Sequence, residues 1–344
     1  MERRRLAKME SPYAVAIEGP LGHPRFYAAS EAREAPALVF NGPDGPPTVV
    51  ARGPGGCMGI VPLGPAGLPG MLMVEEFFPI FQSDRSGAAV YLPPVISGGE
   101  WRRHRVFDLP FLHRIAWVNP HGRPQVLAAQ LCRAKEHMED WSHPGAVYAV
   151  EPGAASEPWR VCEKPLLDGL HRNHGMFIRR ANGQEEVFVS GDEGIFRLSC
   201  PAPDQPWVAE RVLDLPTSDL WMFDLDGDGE EELVAIHPFH GETARIFKRA
   251  GSRWEIVWEV QGKFGHVVWA GRLRGQPCVM LGWRGGDQAL DLHFLEDARA
   301  WRFQKMTLDA GVAPLNAVVR HERGADLVLA THATPGEVVL YSLR

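Results

Sequence analysis

The sequence predicts an all-β fold, a seven-bladed β-propeller of four-stranded blades, and three observations predict it. Gly 36 and Pro 29 make up about 19% of the 344 residues, against roughly 12% in average proteins, which calls for many turns. One grammar of strand, polar turn and strongly apolar strand recurs seven times. The two ends of the chain carry complementary parts of one such unit, so the ring can close.

The clearest copy is DLWMFDLDGDGEEELVAIHPFHGETARIFKRAGSRWEIVWEVQG, residues 219–262. Alternation and β-branched content place strands at Leu220–Phe223, Glu232–Ile236, Ala244–Lys248 and Trp254–Val260, with Gly and Asp turns between them. Related runs begin at Leu112, His174, His266 and Leu315, and two shorter ones at Tyr13 and Met58. Anchoring on the end of each second strand gives Ala29, Val74, Ala129, Ser190, Ile236, Leu281 and Ala330, in steps of 45, 55, 61, 46, 45 and 49 residues. A four-stranded unit of that period is a propeller blade.

The length alone would allow two domains. The period instead makes residues 1–344 one domain, with blades at 12–52, 57–108, 111–164, 171–214, 219–260, 265–308 and 314–344. The last copy stops after its third strand, at EVVLYSLR. The N-terminal RRRLAKMES matches the outer-strand pattern of WRFQKMTLD (301–309), so residues 3–10 are expected to supply the missing strand.

Charge and composition exclude several functions. A net charge of −7 argues against nucleic acid and anionic membrane as partners. No apolar run is long enough for a membrane helix, and MERRRLAKMESPY lacks the apolar core of a secretory signal. Five dispersed cysteines form no disulfide framework. A cytoplasmic monomer or small homo-oligomer is expected. No GxSxG elbow, Walker loop, GxGxxG or HExxH run is present, so nucleophilic serine and nucleotide chemistry have no support.

The stretch FDLDGDGEEELVAI, residues 223–236, resembles the FG-GAP/VCBS class of propeller repeats, which carry an aspartate-rich turn before an apolar strand. In the other blades that turn has decayed, to RRANGQEE or NPHGRPQ for example. More loosely, on His113, His174 and His266, the chain is similar to propeller-fold sugar lyases and dehydratases, such as the propeller part of aldos-2-ulose dehydratase and propeller polysaccharide lyases. That resemblance implies a metal held by histidines over the central channel and a sugar or oligosaccharide substrate.

The acidic turn offers Asp224, Asp226, Asp228, Glu230 and Glu232 as ligands for a structural calcium ion. Its closing Glu stands at the ninth position, which excludes an EF-hand, and a solvated hairpin is the alternative. Histidines are the richer signal. His113, His174 and His266 fall at the start of an innermost strand, and the loops after second strands add His237, His240 and His332 to the same face. The expected ligands of a divalent Zn, Mn or Fe are His174, His266, His237 and His332.

In the leading reading, a metal-assisted carbohydrate lyase or dehydratase, His113 or His171 moves the proton and Arg114 or Arg172 steadies the enolate-like charge. Long loops of the second and third blades bring Glu75, Asp84, Arg85, Lys135 and Trp141 to the rim, with Gln82 beside them. Trp221, Trp283 and Arg284 complete the expected substrate contacts. Two alternatives stand beside this reading. One is a propeller that binds a glycan or protein without chemistry; the other is a glycoside hydrolase drawing on Glu75, Asp84, Asp192 and Asp287.

Overall fold

A computed structural model describes residues 1–78, 83–96, 99–181, 183–203 and 205–344. Among them, seven antiparallel sheets form the blades of a closed β-propeller. The fifth blade shows why the chain folds this way. Its strands are Asp219–Phe223, Glu232–His237, Thr243–Ala250 and Arg253–Gln261, each within two residues of the sequence expectation at either end. Successive side chains of a strand point to opposite faces. Val234 and Ile236 therefore pack against Val268, Val279 and Leu281 of the sixth blade. Leu233 and Ala235 pack the other way, against Phe188 and Ile195 of the fourth. Both faces are buried, so second strands read as unbroken apolar runs such as ELVAI.

Closure is made by the N-terminus. Glu2–Lys8 pairs antiparallel with Glu337–Leu343, from Glu2 opposite Ser342 to Lys8 opposite Glu337, as the outermost strand of the seventh blade. Arg3 fastens the seam, its guanidinium 2.6 Å from Asp309 and 2.9 Å from Glu337. The Tyr341 hydroxyl donates to the same Asp309 carboxylate at 2.9 Å. Leu6 and Met9 anchor the strand in the core shared by the seventh and first blades.

Two blades depart from the ideal pattern for local reasons. The outer strand expected within residues 159–168 is split into Arg160–Val161 and Leu167–Leu170, both paired with Gly145–Glu151. Pro165 lies in the gap and has no N–H to offer the ladder. The second blade keeps only Ile60–Pro62 as its inner strand, between a glycine-rich entry and a proline. Among the described residues no helix is long and apolar enough to cross a membrane.

Deleting residues 1–8 strips the seam and leaves Glu337–Leu343 as an open edge. Thermal melts with light scattering should show a lower, less cooperative transition and aggregation; a melt matching the full chain would refute closure by this strand.

Candidate functional site

The site begins with an irregularity repeated around the ring. In the first, third, sixth and seventh blades, the innermost strand slips register at its first turn. The slips fall between Pro12 and Ala14, Leu112 and Arg114, Gly265 and Val267, and Pro314 and Asn316. The residue bulged out in each case is Tyr13, His113, His266 or Leu315. A bulge re-aims a side chain that regular pleating would send elsewhere. In the fourth blade His174 occupies the corresponding place, its N–H bonded to the Ser190 carbonyl. Three imidazoles are thereby delivered to one channel mouth.

A fourth arrives from a loop. Gly241 N–H bonds the Pro238 carbonyl at 2.8 Å, closing a tight turn with His240 in the left-handed region at φ 49°. Histidine is among the few side chains that tolerate this conformation. The His240 ring stacks on Phe239 at 3.9 Å and Phe264 at 4.6 Å between centroids. It faces His174 across 3.4 Å, Nε2 to Nε2.

Hydrogen bonds fix which nitrogens are free. The Nδ1–H of His174 donates to the Ser218 carbonyl at 3.2 Å, and that of His266 to the Leu315 carbonyl at 2.5 Å. A carbonyl can only accept, so both rings keep a bare Nε2 lone pair. One nitrogen each from His174, His240 and His266 lies within 4.8 Å of the other two. His113 stands beside them, its ring 4.8 Å from that of His174 and its buried Nδ1 without a partner.

All four rings are kept neutral. Burial, aided by Arg114 and His240, holds His113 well below the usual histidine range. His174 and His266 are depressed in the same way, by burial and then by neighbouring imidazoles and arginines. His240 is pulled down to about 3 by burial, with Arg284 and Arg114 adding to it. Neutral imidazoles with their second nitrogens anchored are the donor set of a transition-metal site.

Above the histidines opens a cavity of about 720 Å³ whose walls include Trp141, Phe239, Phe264, Lys135, Arg172 and Arg284. Arg284 lies over Phe264 at 4.8 Å, with no carboxylate at ion-pair distance among the described residues. Arg172 pairs with Asp192 at 2.5 Å and lies 5.1 Å above Trp141, while the Lys135 ammonium sits 3.3 Å over that same indole. On the channel wall Arg114 donates to the His174 carbonyl at 3.0 Å and approaches Asp219 at 3.6 Å. Burial pushes the Asp219 carboxyl up to about 6, against the pull of Arg114.

Several expected site residues lie elsewhere. His237 and His332 are not part of the cluster. Strand parity turns His237 toward Phe247, where its Nδ1 approaches the Pro216 carbonyl at 2.9 Å. His332 is buried against Tyr341, 3.3 Å from its hydroxyl. The same parity buries Trp283 in the core between the fifth and sixth blades. Glu75 is locked in the second blade by Arg103, Arg105 and the Tyr91 hydroxyl. His171 is held by Glu193 at 2.6 Å and does not line the cavity.

Asp84 and Arg85 line a neighbouring cleft of about 570 Å³ that meets the cavity at Phe111 and Lys135. Gln82 lies outside the described residues. Trp221 sits lower in the channel, against Phe177 and Trp269. Of the four carboxylates that a glycoside hydrolase would draw on, only Asp192 reaches the cavity. The residue the ligand list left out is His240. It lay in a loop named for the right face, but nothing in the repeat register marks the turn that aims it.

The acidic turn carries its own cation. Lys248 Nζ lies 2.6 Å from Asp226, 2.7 Å from Asp228 and 3.0 Å from Glu232. Asp224 accepts from the N–H groups of Gly227 at 2.7 Å and Gly229 at 3.0 Å. Asp224, Asp226 and Glu232 offer oxygens close enough for one ion, and neither Asp228 nor Glu230 is among them.

No protein-family model matches the sequence, and no curated protein matches it. Solved structures share the fold. The chain is similar to the AfRom2 CNH domain, with a TM-score of 0.56 at 9% identity, covering 100% of this chain and 99% of that one. It is equally similar to Saccharomyces cerevisiae Sqt1, with a TM-score of 0.55 at 10% identity and full coverage of both chains. BBS1N, solved in complex with ARL6DN, gives a TM-score of 0.53 at 11% identity over 99% of this chain and 98% of that one. These likenesses establish the propeller architecture.

Two predictions follow from the charges. His237, His293 and His332 are each depressed by burial to about 4, and His240 to about 3. Below pH 6.5 the unfolded chain takes up protons that these rings refuse when folded. Stability should therefore fall from pH 6.5 down to about 4, by at most about 1.4 kcal/mol per pH unit per histidine. Asp219, with its folded value raised, works in the opposite sense between its ordinary value and about 6. Urea melts from pH 4 to 8 check this; a flat profile contradicts it. Second, Lys248→Met should uncover the acidic turn. Millimolar calcium should then raise the variant's melting temperature more than the wild type's, and equal shifts would show that the ammonium does not hold the ion's place.

Proposed function

We propose that this propeller is a binding protein whose channel mouth holds one divalent transition metal on His174, His240 and His266, and that it captures a carboxylate-bearing sugar or oligosaccharide there. The observation that carries the reading is the approach of two imidazole Nε2 atoms to 3.4 Å, with a third ring nitrogen alongside. His174 Nε2 is bare, so at that separation either His240 donates its own Nε2–H to it or a cation lies between the two nitrogens. Zn, Mn and Fe all suit three neutral imidazoles. Bound there, the metal would supply a Lewis acid for a ligand oxygen.

The chain's own groups define the ligand. Arg284 lines the cavity over the Phe264 ring with no protein carboxylate at ion-pair distance among the described residues, although Glu31 shares the cavity. A planar guanidinium so placed suits a ligand carboxylate. Phe239, stacked on His240, lines the cavity with an aromatic ring suited to a pyranose, while Lys135 covers the Trp141 indole. The fold neighbour BBS1N was solved with a protein partner, which favours binding over chemistry but speaks for a protein, not a sugar, as the bound partner.

One observation favours a second reading, elimination from the bound sugar acid. His113 is neutral, adjoins the cluster and keeps an unengaged Nδ1. In that role it accepts the proton from the carbon beside the carboxylate, and Arg284 balances the charge that develops. The C–O bond at the next carbon breaks as the double bond forms, the departing oxygen taking up a proton from protonated His113 or from water.

Metal analysis of protein purified without chelators should find about one equivalent of a transition metal. His174→Ala and His240→Ala should retain about a tenth or less, while His237→Ala and His332→Ala keep it. Loss in the second pair instead would overturn the ligand set. With acidic oligosaccharides, calorimetric binding without an unsaturated product supports capture alone; product that disappears in His113→Ala supports elimination.

A further inference from the structure

The opposite mouth of the channel holds a second cavity, of about 700 Å³. Its floor is aromatic. Phe177, Trp221 and Trp269 come from the innermost strands of the fourth, fifth and sixth blades, with ring centroids 4.8 Å and 6.3 Å apart along the series. On the fifth blade's strand, Asp219, Trp221 and Phe223 share one face by parity, so the wall changes from charged to aromatic within one strand. The sequence makes room for this floor. A Cβ at Gly271 would run into the six-membered ring of Trp269, so glycine lets the indole lie along its own strand.

The rim is polar, with most of its charges paired. Arg179 pairs with Glu231, and His321 with Asp326 at 2.7 Å. Arg272 donates to the Gly275 carbonyl at 3.2 Å. Arg272, like Arg284 at the upper mouth, has no carboxylate at ion-pair distance among the described residues. Donors and acceptors surround an apolar floor whose rings are tilted by 51° and 49° to one another.

We propose that this lower mouth is a separate binding site for a neutral carbohydrate. Its C–H face stacks on Trp221, which the buried and tilted Trp269 supports from the next blade, and its hydroxyls reach the guanidinium and carboxylate edges of the rim. Three features select that class. The volume is that of a small-ligand pocket. The aromatic faces offer area at low conformational cost. The rim sets the carboxylates of Glu231 and Asp326 among the guanidiniums of Arg179 and Arg272, so a ligand carboxylate would meet like charge there. Vicinal hydroxyls, each both donor and acceptor, match the mixed set. The site does not depend on the metal reading of the upper mouth.

The test is a titration followed by tryptophan fluorescence and saturation-transfer NMR, using methyl glucosides, galactosides and mannosides, cellobiose and maltose, with EDTA present throughout. At least one neutral sugar should bind saturably, with a dissociation constant on the order of millimolar. Trp221→Ala should weaken it about tenfold or more. Gly271→Ala should weaken it while the circular dichroism spectrum stays that of the wild type, because it displaces an indole without removing one. His174→Ala should bind as the wild type does. The proposal is overturned if none of these sugars binds, if binding survives both Trp221→Ala and Gly271→Ala, or if His174→Ala abolishes it. A preference for glucuronate over methyl glucoside would also overturn it.

Discussion

Ring closure is the constraint on which the rest depends. Seven innermost strands can aim at one axis only if each blade is wedged between two neighbours, and the last wedge is completed by a strand from the other end of the chain. Arg3 spans that seam, tying the N-terminal strand to Asp309 of the sixth blade and Glu337 of the seventh. Without the closing pair, both faces of the seventh blade lose their support. The positions of His266 and Tyr13, which touch edge to face across the first–sixth blade approach at 5.7 Å, would be set by nothing.

Convergence has an electrostatic consequence. Four imidazoles and two arginines crowd a desolvated mouth, where burial first, then the arginines and, for His113, His174 and His266, neighbouring imidazoles lower the rings' affinity for protons. Such a cluster is a poor proton store and a strong lone-pair donor. A protein that needed these rings only as packing would gain by replacing them with leucine or phenylalanine, which carry no polar atoms to desolvate. The two anchored Nδ1–H groups strengthen this point, because they orient the remaining nitrogens inward and not merely satisfy buried atoms.

How much of this was legible in the sequence follows from which property each feature rests on. The architecture rests on period, and period survives sequence decay, so seven units and the donated strand could be read from spacing alone. His113, His174 and His266 were legible for the same reason, because position within a repeat maps to position in the ring. What failed was anything decided by strand parity or by a turn. His237 lies one residue past Ile236, and that single step turns its ring toward Phe247 and away from the channel. Trp283 fails likewise, at the end of a second strand and facing the neighbouring blade, while Glu75, at the end of its own second strand, is held by Arg103, Arg105 and Tyr91 of its own blade. His240 depends on one left-handed φ, which neither composition nor period encodes.

The same parity argument explains why the two mouths differ in chemistry although one set of strands builds both. Reading down the fifth blade's inner strand, every second residue faces the channel: an acid near the histidines, then Trp221, then Phe223. On the sixth, His266 leaves the strand by a bulge, and the regular positions below it place Trp269 and Gly271 toward the lower end. The bulge is thus the point where the channel changes character. Above it, side chains are aimed by irregular backbone and can converge tightly enough to share an ion. Below it, they hang from regular pleats and are spaced by the strands themselves, which suits flat stacking and not coordination. A ligand exchanged between the mouths would meet the wrong geometry at either end, so each end has to be understood by its own chemistry.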